Sequence, residues 1–148
     1  MLDVGCAGDG TLARAVCDTC PSVAVTSVHP SATTRALVAV TLGGRLTVRD
    51  PPATVLVCEP DKIPGRYDVC LWTCDMVARL VSTAGPAGAV LALQARTGTC
   101  CIVSVMTADT LEFRSVNSVL TWLQTGFLKV GYAGTVRSDQ HAFVCLVV

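Results

Sequence analysis

Short apolar runs alternate with amphipathic stretches along most of the chain, the pattern of repeated βαβ units and a mainly parallel sheet. Met1 to Val4 reads as the end of a strand cut short at its start. The loop Gly5 to Gly10 follows, then a helix over about 11–19 with Leu12, Ala15 and Val16 on one face. Val23 to Val28 reads as a second strand. Ser31 caps a helix that runs to Thr41 and ends at Gly43-Gly44. Arg45 to Pro60 holds two β-like runs, Leu46-Thr47-Val48 and Val55-Leu56-Val57-Cys58, separated by Asp50-Pro51-Pro52. Either can be the next strand, and the second is the more apolar.

Tyr67 to Thr73 is a clear strand pattern. The stretch Asp75 to Thr83 predicts a helix that stops at Gly85-Pro86, and Ala87 to Arg96 predicts another. Thr97-Gly98-Thr99 reads as a turn into a buried strand, Cys100 to Met106. Asp109 and Glu112 have the spacing of a capping box. The helix they would open carries Phe113, Val116, Leu120, Leu123 and Phe127 at alternating steps of three and four, one continuous core stripe. Leu128 to Val136 and Ala142 to Val148 then predict an antiparallel pair closing the sheet. Residues 1–148 contain no internal repeat, low-complexity tract or linker, so the expectation is one α/β domain over 1–148 with its first strand truncated at the N-terminus.

Composition agrees with a buried sheet. Hydrophobic residues make up 51% of the 148 and charged residues 15%, a balance that argues against disorder. The longest charge-free stretch, between Arg79 and Arg96, is too short to span a bilayer and is broken by Gly85, Pro86 and Gly88, so no membrane partner is expected. Acidic Asp3 and Asp9 occupy the place of a basic signal-peptide region. Eleven basic residues balance eleven acidic ones and are scattered, with only two lysines. Unaided RNA binding, which draws on clustered cations, is therefore not expected.

Nine cysteines raise the question of zinc. Cys17-x-x-Cys20 and Cys70-x-x-x-Cys74 are suggestive, but no second matching pair exists and only His29 and His141 supply imidazoles. Cys58, Cys70, Cys101 and Cys145 lie inside Val/Leu/Ile runs, where a reduced thiol behaves as a small hydrophobe. The reading is no metal, and a reducing, cytoplasmic compartment.

The chemistry concentrates at Asp3-Val4-Gly5-Cys6-Ala7-Gly8-Asp9-Gly10. A glycine-rich turn between a first strand and a first helix lets backbone pass close beneath a ligand, because no Cβ intervenes. The same turn also serves as a plain strand–helix connection. An acid ending the strand, then a Gly-x-Gly-x-Gly-like turn, resembles the signature of class I S-adenosylmethionine-dependent methyltransferases. The resemblance implies a Rossmann-like sheet with helices on both faces and an antiparallel C-terminal strand. It also implies that Asp3, Gly5, Ala7, Gly8 and Gly10 hold the methionine part of S-adenosylmethionine, with Ala7 where a glycine is usual. Asp3, Gly5 and Gly8 should border a pocket at the strands' C-terminal ends. In the family the second strand ends in an acid that grips the ribose hydroxyls; here His29 stands there, which implies weak cofactor binding. Glu59 or Asp61 resembles the acid near the adenine ring, and each also reads as a solvated loop carboxylate.

The second half resembles RNA ribose 2′-O-methyltransferases, including those of coronaviruses and other nidoviruses. The matching segments are Tyr67 to Met76, Ala92 to Met106 and Ser138-Asp139-Gln140-His141-Ala142-Phe143. That family uses a Lys-Asp-Lys-Glu tetrad in which a lysine takes up the ribose hydroxyl proton. Position by position, the Asp falls on Asp75, the second Lys on Ser104, and the Glu on His141, or on Gln140 if the register slips by one. The first Lys has no counterpart, and Lys62 and Lys129 match neither position. The resemblance thus implies a viral replicase domain of the RNA-capping type, degenerate in its tetrad, that meets RNA only with a partner protein and sits among other replicase proteins in the host cytoplasm. Two other readings stay open. One is an active methyltransferase with a different acceptor and base, for which His29, His141 or Asp75 are candidates. The other is a non-enzymatic interaction module. Asp75 as a helix cap, His141 as a surface residue and Trp72 as core are the plainer roles of those residues.

Overall fold

The computed structural model describes residues 1–5 and 9–147; Ala7 and Gly8 of the predicted turn lie outside the described residues. Seven strands, β1 (Leu2–Val4), β2 (Thr26–His29), β3 (Thr54–Val57), β4 (Tyr67–Trp72), β5 (Thr97–Met106), β6 (Lys129–Arg137) and β7 (Gln140–Leu146), form one sheet in the order β3-β2-β1-β4-β5-β7-β6. Every pairing from β3 through β5 is parallel, and β7 runs against both β5 and β6. The mainly parallel sheet with an antiparallel C-terminal strand is therefore present as expected.

Four helices cover it: α1 (Thr11–Thr19), α2 (Ala32–Leu42), α3 (Cys74–Arg96) and α4 (Val116–Gln124). One face, built from Leu2, Val4, Cys70, Trp72, Cys101, Val103, Phe143 and Cys145, is closed by α3 and α4 into the larger core. On the other face α1 and α2 close a smaller core of Ala13, Cys17, Val25, Val38, Leu42 and Ala53. Burial pushes the Cys101 thiol well up and Cys145 up to about 12, so both are protonated packing groups. Among the described residues no three His, Cys, Asp or Glu side chains converge as a metal site. By length and mean hydropathy, 1.5 over its most apolar window, α3 is long and apolar enough to cross a membrane. Here it instead packs on β4 and β5, and it breaks at Gly85, whose φ is 74°.

Local signals placed several elements. The Ser31 hydroxyl accepts from the Thr33 and Thr34 amides to cap α2, and Gly43 ends it with φ 51°. The break at Gly85-Pro86 divides α3 where two helices were predicted. Of the two β-like runs the second, more apolar one supplies the strand, β3, at the rim of the sheet, while Gly43–Leu46 is a 3₁₀ turn and Leu46-Thr47-Val48 forms no strand. Three expectations fail. The second strand starts at Thr26, not Val23. Thr97-Gly98-Thr99 is the start of β5, and Gly98 lets β5 approach β4 closely, a Cβ there lying 3.2 Å from Asp68 Cα. Asp109 and Glu112 cap nothing. Residues 108–111 close their own turn, with the Leu111 amide on Ala108 O at 3.1 Å. Ser115 and Ser118 make the reciprocal bonds that start α4 at Val116. Phe113 and Phe127 stay in the core as flanks of the helix.

Candidate functional site

β1 has β2 on one side and β4 on the other, so the chain leaves it in one direction and later returns on the opposite side. In open α/β sheets a ligand crevice forms at such a switch point, outside the strands' C-terminal ends. Asp3 sits there, fully buried, paired in register with Ser27. The Ser27 hydroxyl donates to Asp3 Oδ2 at 3.3 Å and lies 2.8 Å from His29 Nε2. With the Ser27 proton on the carboxylate, the His29 tautomer protonated on Nε2 donates in turn to Ser27 Oγ; the other tautomer accepts the Ser27 proton instead. Burial holds the His29 pKa below the usual histidine value, against the opposing pull of Asp3.

Gly5 has φ 77°. A Cβ there would come within 2.6 Å of Met76 Cγ and 2.9 Å of Thr73 Oγ1, so glycine lets the end of β1 lie against the start of α3. Gly10 has φ 83° at the N-cap of α1, and a Cβ would reach 2.9 Å from Val38 Cγ1, where α1 meets α2. Asp9 Oδ1 accepts from the Thr11 amide, which lowers its pKa. The positive-φ glycines at both ends of the turn and the buried acid before it fit a ligand held by backbone. The ribose position fits less well. His29 is buried and bonded within the Asp3 network. Glu59 is held by the Arg79 guanidinium through bonds of 2.7 and 2.8 Å, which lowers its pKa. Asp61 lies in a 3₁₀ turn, Pro60–Lys62, where its carbonyl accepts from Arg96.

In the back half, Thr73 is the N-cap of α3 and its hydroxyl donates to Val4 O. Asp75 follows in the first turn, exposed. Ser104 pairs with Ala142, whereas His141 pairs with Val105. Directly opposed residues share a face and neighbours along a strand alternate. Ser104 and His141 therefore face opposite sides of the sheet. Gln140, opposite Met106, shares the Ser104 face. His141 turns to the larger core's side, with Nδ1 2.9 Å from the Tyr132 hydroxyl. Trp72 is core, 2% exposed, and among the described residues its indole nitrogen has no partner.

One cavity of about 370 Å³ opens beside Asp75, between the first part of α3, the end of β5 and the segment 111–113. Val77, Val81, Pro86, Val105 and Phe113 supply apolar wall, and Asp75 and Glu112 its carboxylates. Burial, then the Asp75 charge, raise the Cys74 thiol pKa. Among the predicted residues that are described, only Asp75 borders this space. Sequence reasoning placed Phe113 and Val77 in core helices and Glu112 in a cap; the helical spacing of Val77, Ala78, Val81 and Ser82 carried the only legible sign of a shared wall.

The fold matches solved S-adenosylmethionine-dependent methyltransferases. Magnesium protoporphyrin IX methyltransferase (ChlM) from Synechocystis PCC 6803, with bound cofactor, superposes with a TM-score of 0.74 at 13% identity, over 99% of this chain and 69% of that one. The glycopeptide N-methyltransferase MtfA, complexed with S-adenosyl-L-homocysteine, gives 0.72 at 11% identity, over 98% of this chain and 81% of that one. A TehB-like methyltransferase from Corynebacterium glutamicum gives 0.68 at 12% identity, over 97% and 77%. No protein-family model and no curated protein sequence matches the chain. At such identities the likeness shows the fold, that of class I methyltransferases.

Proposed function

We propose that the chain is an S-adenosylmethionine-binding domain of methyltransferase type, related to RNA cap ribose 2′-O-methyltransferases and degenerate in their chemistry. The observation that carries the cofactor reading is the positive-φ Gly5 two residues after buried Asp3, at the switch point between β2 and β4. Asp3, Gly5 and Gly10 would hold the cofactor, with Ala7 and Gly8 completing the turn; when bound, it supplies an electrophilic methyl group. Affinity is low, because a buried imidazole engaged with Ser27 stands where a two-oxygen carboxylate would grip the ribose. A missing paired hydrogen bond amounts to about 1–3 kcal/mol, or about ten- to a hundredfold.

Loss of ribose chemistry rests on Ser104, which cannot act as an amine base, and on its lying across the sheet from His141. A missing general base forfeits about 10²–10⁴-fold. With balanced charge and two lysines, the domain meets RNA only beside a partner, among replicase proteins in a host cytoplasm. Calorimetric titration with S-adenosylmethionine, paired with methyl transfer from labelled cofactor to capped RNA, tests both parts. Weak saturable binding without transfer is the expected result. Absence of binding leaves an interaction module. Robust transfer abolished by Asp75→Ala defeats the degenerate reading. A second reading, an active enzyme with another acceptor, is favoured by the apolar cavity beside Asp75.

A further inference from the structure

The geometry points to the cavity between α3 and the segment 111–113 as a binding site for a small hydrophobic cation, an alkyl or aryl amine; this names a ligand class for the cavity that favours the second reading above, and the binding itself needs no cofactor. Its construction follows from two local breaks. Gly85 interrupts α3 just before Pro86, and the segment after β5 forms its own turn instead of extending α4. The Trp122 indole donates to Pro86 O at 2.7 Å, and its ring packs on Phe113 with centroids 4.6 Å apart. Those contacts pin α4 and the base of the segment against the break in α3. A chamber stays open between them, and its volume of about 370 Å³ is within the range of small-molecule sites.

The lining selects the ligand. Val77, Val81, Pro86, Val105 and Phe113 reject a hydrated ion and favour a hydrocarbon body. Asp75 and Glu112, both exposed, are the two acidic residues that line the chamber. Among the described residues neither is in an ion pair: the arginines that bind acids engage Asp18 and Glu59. No lysine or arginine lines the chamber; Arg137 acts on the Cys74 thiol only through its field. An anion entering here meets two like charges. An ammonium group on an apolar body places its charge at the carboxylates and its body among the valines.

The probe is 2-phenylethylamine, with 2-phenylethanol as its neutral match and phenylacetate as its anion, titrated calorimetrically into the whole chain without cofactor. The expected order is amine tightest, the alcohol about ten- to a hundredfold weaker, and the carboxylate without detectable binding. Asp75→Asn with Glu112→Gln should bring the amine to the affinity of the alcohol and leave the alcohol unchanged. Val81→Trp, filling the chamber, should abolish both, with its melting curve reporting that the fold is intact. Equal binding of amine and alcohol, preference for phenylacetate, or amine binding that survives Val81→Trp in a folded protein would each overturn the assignment. If Val81→Trp does not fold, the carboxylate double variant decides alone. S-adenosylmethionine is titrated separately. Its failure with the amine bound removes the proposed function and leaves this site, and the converse removes only this site.

Discussion

Across β4, β5 and β7 the two faces of the sheet are unequal. Cys70, Trp72, Cys101, Val103, Phe143 and Cys145 lie on the side closed by α3 and α4, all at most 2% exposed. Their strand neighbours Val69, Leu71, Cys100, Ile102, Val144 and Leu146 face the other way and are half-buried, because α1 and α2 extend their core only over the β2 and β3 side. Both sets are apolar. A strand that reads as a continuous apolar run is the pattern of burial on both faces, yet here one face does most of the packing. Hydrophobic sequence thus marks what a position tolerates, while the helix above it decides what the position contributes.

The largest test sets equal side chains on the two faces against each other. Leu2→Ala, fully buried on the α3 side, should cost about 2–5 kcal/mol in urea unfolding. Leu71→Ala, half-buried on the open side, should cost about 1 kcal/mol. Equal losses would mean that the open face is packed after all. A smaller effect is expected where β1 ends against the closed side. Gly5→Ala must strain a positive φ and displace Met76, about 1–3 kcal/mol of stability; a melting temperature equal to that of the parent would show that Met76 yields freely.

The smallest effect concerns the polar group under the second face. His29 has its pKa lowered by burial from a starting value of 6.5, so on acidification the unfolded chain takes up this proton first. The stability that comes from neutral His29 is complete above pH 6.5. It declines as pH falls from there toward the lowered folded value, then levels off. His29→Asn should flatten that decline between pH 6.5 and the lowered value. An unchanged slope would place the acid sensitivity elsewhere.

Much of the fold was legible because its signals are local. Ser31 needs only the amides of Thr33 and Thr34, and Gly85-Pro86 breaks a helix wherever it lies. The false cap at Asp109 shows the limit: its spacing was right, but Ser115 and Ser118 competed for the same helix start and made both bonds. The candidate site was less legible, since Glu59 and Arg79 are twenty residues apart in sequence and nothing near either residue announces the pair.

By itself the sequence determined the alternation of strands and helices, the glycine turn after Asp3, and the breaks that let the chain reverse, because φ, caps and hydrophobic period are properties of a few adjacent residues. Only the tertiary structure decided that Ser104 and His141 face apart, that His29 points into a buried network, and that a chamber opens beside Asp75. Those outcomes depend on strand register, where a shift of one residue reverses every side chain, and on contacts between segments far apart in the chain.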